Sequence, residues 1–238
     1  MGLDIYVGPL TRYYLGEWET VVERYGREQG LPVTIVRPQV EQQKSGPRVT
    51  AAEALQIVTR WRAGLTESLG SNLREPLDWL ESEDGGYFTD KPAWDGYGNL
   101  VLLAAYEEHR DLSRLKIAAT DFGGDPAWKA STMEGFKSKY TAILHPELWL
   151  PCNFSFIFRA PDAAGNEVWI GSSVALLTQL RALNDATARG TREELALWRK
   201  ENFEQGESFE KAAHFALAMF LELAEKSVLL AQPMKMDY

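Results

Sequence analysis

Cys152 and His145 are the pair of side chains in this sequence whose types could support nucleophilic catalysis, because a thiolate activated by an imidazole is a competent attacking group. Their nearness along the chain does not bring them together in space. Cys152 lies between Pro151 and an apolar stretch, where a cysteine behaves as a small buried hydrophobe. Besides His145 there are His109 and His214, and none stands at a His-x-His, His-x3-His or His-Glu-x-x-His spacing, so no zinc site, no other metal and no cofactor are expected. His214, flanked by Ala212, Ala213, Phe215 and Ala216, reads as a core or helix-face residue.

Asp121-Phe122-Gly123 copies the metal-binding tripeptide of kinases, yet the chain lacks a Gly-rich phosphate loop, a Val-Ala-Ile-Lys strand and a His-Arg-Asp loop. With Gly124 and Asp125 it reads as a turn that starts a helix. Gly-x-Ser-x-Gly, Walker A and Gly-x-Gly-x-x-Gly patterns are also absent, which removes the commonest hydrolase, nucleotide-triphosphatase and dinucleotide readings.

The segment from Asp78 to Tyr97 is the richest in interaction chemistry. It combines Asp78, Glu81, Glu83, Asp84, Asp90 and Asp95 with Trp79, Tyr87, Phe88, Trp94 and Tyr97, and Lys91 is its one lysine. Aromatic rings supply contact area and carboxylates complement Arg or Lys on a partner, so Asp78, Glu81, Glu83, Asp84, Tyr87, Asp90, Trp94 and Asp95 are the candidate partner-binding residues. The same composition also suits an irregular loop packed onto the core. A run of Glu201, Glu204, Glu207 and Glu210 reads as a solvated helix face. Tyr13, Tyr14, Glu17 and Trp18, beside Arg12, follow the first strand and are candidates to line a pocket or to pack a helix.

These residues must be held by elements that the pattern makes visible. Leu3 to Val7 alternates as a strand closed by Gly8-Pro9, and Trp18, Val21, Val22 and Tyr25 mark one face of a helix ending near Gly30. Val33 to Val36 reads as a second strand. Thr50-Ala51-Ala52-Glu53 is a capping box for a helix that buries Leu55, Val58, Trp61, Leu65 and Leu69. Arg74 to Gly98 reads as irregular, Leu100 to His109 as helical, and Asp125-Pro126 as the start of a helix running to about Leu144. Leu148 to Leu150, Asn153 to Arg159 and Glu167 to Ile170 are strand-like, the last two joined as a hairpin. Ser172 or Ser173 caps a helix carrying Leu176, Leu177, Leu180 and Leu183, Thr191 to Glu194 is a second capping box, and two further helices split near Gly206. Few strands among many helices predict an α+β fold, a small mostly antiparallel sheet with several packed helices, as one domain over residues 1–238.

The chain carries 34 acidic against 25 basic residues, a formal charge of −9, with 45% hydrophobic side chains over 238 residues. This balance argues against nucleic acid or an anionic membrane as the partner and suits a basic protein. Ala212 to Ala231 is the one stretch that raises a membrane question, and Glu222, Glu225 and Lys226 break it, so it reads as a buried helix. A single cysteine and an opening without a secretion signal predict the cytoplasm.

The opening Met1-Gly2-Leu3-Asp4-Ile5-Tyr6-Val7 and the Tyr- and Trp-rich helix after it are similar to uncharacterised bacterial cytoplasmic proteins over about the first twenty residues. That resemblance implies no activity and transfers no functional residue. Small acidic α+β proteins without catalytic motifs are common among immunity proteins that neutralise bacterial toxins, and by this analogy the expected function is a protein-binding inhibitor whose acidic aromatic surface covers a basic partner. The alternative is an enzyme with an unrecognised carboxylate-based site, such as a hydrolase of a small substrate.

Overall fold

A computed structural model describes residues 2–32, 49–82, 85–201 and 206–238; the expected strand at 33–36 lies outside them. The two ends of this span meet in the middle of one sheet. Strand β1 (Asp4–Val7) pairs antiparallel with the last strand, β6 (Met234–Asp237), placing Tyr6 opposite Lys235 and Ile5 opposite Met236. On its other side β1 pairs antiparallel with β2 (Phe88–Asp90). Beyond β6 lie β3 (Leu148–Leu150), then β5 (Glu167–Ser172), then β4 (Phe158–Pro161), so the order is β2-β1-β6-β3-β5-β4. Among the described residues only the β3–β5 pair is parallel. The fold is α+β with a mostly antiparallel sheet.

Period-two alternation gives the sheet two faces. Ile5, Val7, Trp149, Met234 and Met236 join one core cluster, whereas Tyr6, Leu148, Leu150, Val168 and Ile170 face the other way. The first face is covered by α4 (Ala93–Glu108), α7 (Ser173–Ala186) and α9 (Phe209–Leu230), whose Leu100, Leu103, Leu176, Leu180, Leu217 and Phe220 complete that core. The second face is covered by α1 (Leu10–Leu15) and α3 (Ala51–Leu69), through Leu10, Val58 and Leu65. Shorter helices α2 (Val21–Gln29), α5 (Pro126–Thr132), α6 (Thr141–Leu144) and α8 (Arg192–Trp198) lie around these layers. The apolar run from Ala212 is thus the central buried helix. Among the described residues no helix is long and apolar enough to cross a membrane.

Local signals were reliable where backbone N–H groups had to be satisfied at a helix start. Thr50 with Glu53 and Thr191 with Glu194 form the expected reciprocal capping boxes, and Asp125 Oδ1 accepts from the N–H of Ala127 at 2.7 Å. Thr20 and Glu23 form a third box, so α2 begins after Trp18, which packs inside instead. Val22 and Tyr25, expected on a buried face of that helix, are exposed. The stretch from Asp125 to Leu144 is two short helices separated at Gly135, whose φ of 87° is left-handed. The expected strand Asn153 to Arg159 is displaced to Phe158–Pro161, and the hairpin turn is closed by Asp162, whose Oδ1 accepts from the N–H groups of Ala164 and Asn166. Gly96 and Gly98 are not loop residues: both are buried inside α4, and a Cβ on Gly98 would sit 2.7 Å from Phe122. The interior glycine costs helix propensity and gives Phe122 its seat.

Candidate functional site

The described residues of the Asp78 to Tyr97 segment are distributed along a path across the molecule. Asp78 is exposed and pairs with Arg62 of α3 at 3.1 Å. Glu81 turns inward and caps α1: its two oxygens accept from the N–H groups of Leu10 and Thr11 at 3.0 and 2.9 Å, from Thr11 Oγ1 at 2.8 Å and from Trp79 Nε1 at 2.6 Å. A carboxylate at a helix N-terminus also meets the positive end of the helix dipole. Glu83 and Asp84 lie outside the described residues. Tyr87 stacks on Tyr6 with ring centroids 5.9 Å apart, accepts from the N–H of Glu19 and has the Arg12 guanidinium 4.7 Å above its ring. Asp90 is buried and accepts from Arg199 Nε at 2.8 Å. Trp94 packs against Tyr97 and Tyr238, and Asp95 lies in the first turn of α4. Asp78 and Asp90 therefore face α3 and α8, on opposite sides of the sheet.

The side chains that suggested a pocket after β1 fill one another's space. Tyr6, Tyr13 and Trp18 are buried with centroids 5.2 to 5.6 Å apart, and Tyr14 meets Tyr13 edge-on at 5.2 Å. Below them lies a polar network absent from the sequence reading. Tyr13 donates to Asp237 Oδ1 at 2.7 Å, and Lys235 Nζ lies 3.2 Å from Asp162 Oδ2 and 5.5 Å from the Tyr13 ring centre. Burial, and then the nearby carboxylate, hold the hydroxyls of Tyr13 and Tyr14 well above the usual tyrosine pKa.

The remaining reactive types each have a packing partner. Cys152 Sγ donates to the Asp78 carbonyl, and burial raises its pKa, which disfavours the thiolate. His145 lies between Trp128 and Trp169, and His214 stacks on Trp198 with centroids 4.4 Å apart. Burial lowers the pKa of both imidazoles. Asp121 accepts from the N–H of Gly123 in a turn. Of the acidic run, Glu204 is outside the described residues and Glu207 pairs with Lys211. At the end of α4, buried Glu107 is bonded by Arg110, Lys139 and the Tyr140 hydroxyl, and these outweigh the burial that opposes its ionisation, so its pKa is lowered. Among the described residues no group of three or more His, Cys, Asp and Glu side chains is arranged to hold a metal ion.

Two surface depressions meet on the side of the sheet that carries α9. The larger, about 860 Å³, runs between α7, α8 and α9 over Leu177, Leu195, Leu221 and Val228, with Leu229 82% exposed at its margin. Its charged rim is cross-linked: Arg181 pairs with Glu225 at 2.8 Å, and Glu222 accepts from Arg199 and Lys226, both at 2.6 Å. The smaller, about 320 Å³, lies between α2 and the outer edge of β2, and shares Arg199 and Lys226 with the larger. No sequence pattern announced either depression, because each is assembled from segments far apart in the chain. Comparison with known protein families, with curated proteins and with solved structures found no match.

Proposed function

We propose that this protein acts by binding another protein, and that the groove between α7, α8 and α9 receives an apolar surface of that partner. The observation that carries this reading is the groove itself: an apolar floor, an almost fully exposed leucine at its margin, and a rim of arginines and carboxylates already paired with one another. An apolar centre within a polar rim is the anatomy of a protein interface, and arginine is among the residues enriched there. With Arg181, Arg199, Glu222, Glu225 and Lys226 of the rim paired among themselves, burial of Leu229 and its neighbours is the main contribution to affinity.

The net charge of −9 supports a basic partner, which long-range attraction would draw towards the acidic chain before the groove makes contact. An inhibitor that neutralises a basic toxin is the form of this function that the composition suggests. The test is capture from the host's own lysate at low and high salt, comparing the unmodified chain with Leu229→Asp. A basic protein held at low salt and lost with Leu229→Asp is the expected result. Equal retention by both chains would remove the groove from the interface.

A further inference from the structure

Helix α8 walls the larger groove without a fully buried residue of its own, whereas α7 and α9 beside it each bury several. A helix of seven residues is marginal in water, so α8 stays where side chains anchor it. Leu195 packs against the core cluster that contains Leu177 and Leu221, and the Trp198 indole lies on His214. Arg199, just after the helix, reaches Asp90 of β2 at 2.8 Å and Glu222 of α9 at 2.6 Å. Its side chain is 34% exposed, so water competes for both ion pairs and weakens them. The other end of α8 joins a fixed point, because Asn184 of α7 bonds both backbone groups of Gly190.

The floor that α8 helps to wall is mostly covered. Leu177 is 8% and Leu221 6% exposed, so a partner seated on the groove as it stands buries Leu229 and little of these two. They would add their apolar area to an interface only after the segment over them has moved. A segment with few buried contacts opens locally at a lower cost than the whole fold. We propose that α8 is an autoinhibitory wall: it turns away about Gly190 when Arg199 leaves Asp90 and Glu222, and the partner takes the apolar surface of α7 and α9 against which Leu195 now packs. This regulation rests on the groove being the protein-binding site.

Hydrogen exchange of the full chain tests this without a partner. The amides of Leu195 to Arg199 are expected to exchange at least about tenfold faster than those at the centre of α9, through an opening smaller than global unfolding. Arg199→Gln should speed the α8 amides by about fivefold, the scale of partly exposed ion pairs, leave the centre of α9 unchanged and raise the fluorescence of the neutral apolar dye Nile red. Asp90→Asn keeps an acceptor for the Lys91 N–H and should do the same, which covers the case that Arg199→Gln fails to fold. In the lysate capture at low salt both variants should retain several-fold more of the basic partner. The two substitutions change the net charge in opposite directions, so a gain shared by both comes from the released helix. Leu229→Asp should leave α8 exchange as it is in the unmodified chain, so failure of the groove reading shows in capture alone. Amides of α8 as slow as the centre of α9, exchange or dye binding indifferent to both variants, or no gain in capture of a partner that Leu229→Asp loses would overturn the proposal.

Discussion

A Cβ added to Gly190 would fall 2.5 Å from Cη2 and Cζ3 of Trp198, so the indole occupies the space that any other residue at position 190 would need. Asn184 holds the glycine there, donating Nδ2 to its carbonyl and accepting its N–H at Oδ1, both at 3.0 Å. The same indole stacks on His214 of α9. With no fully buried residue in α8, this stack, the Arg199 ion pairs and the packing of Leu195 against the core set one wall of the groove.

Gly190→Ala is therefore expected to displace Trp198 and to cost about 1–3 kcal/mol, the usual penalty of overpacking, read as a lower urea midpoint and a changed near-ultraviolet dichroism. Trp198→Leu in the same chain should relieve part of that cost. Strictly additive losses would mean that the two positions do not compete for one space.

Lys235 and Asp162 form a buried pair across 73 residues of sequence, both side chains under a tenth exposed. Lys235→Met should destabilise by about 3–5 kcal/mol, because the Asp162 carboxylate would stay buried without its counter-charge. Lys235→Met combined with Asp162→Asn should recover much of the loss. A double variant as unstable as the sum of the singles would show that Asp162 acts through its turn N–H bonds alone, and denaturant titration of the four chains decides this.

Burial holds His145 and His214 below their ordinary pKa of 6.5, so in the folded state each takes up a proton less readily than in the unfolded chain. Stability from these two groups is complete above about pH 7 and is lost as pH falls through 6.5 towards the lowered folded values. Urea midpoints measured from pH 8 to pH 5 should fall on acidification. Replacing either histidine with glutamine should flatten that fall, and an unchanged profile would refute the assignment.

What could be read in the sequence was what neighbouring residues decide among themselves. The boxes at Thr50 and Thr191, the Asp125 cap, the β4–β5 turn and the buried face of α7 depend on contacts within a few residues, and they were legible together with the α+β class. β6 was not legible: no strand was read after the two helices split near Gly206, because burial of Lys235 is tolerable only once Asp162 and the Tyr13 ring are folded against it. Glu81 was legible as a carboxylate but not as the cap of a helix 70 residues away. Arg24, Phe88, Arg199 and Lys226 share a cleft through packing of α2, β2 and α9. The sequence by itself determined the local elements and the class of the fold, and the tertiary structure alone decided which distant charges are brought together, because those pairings form only when segments far apart in the chain pack against one another.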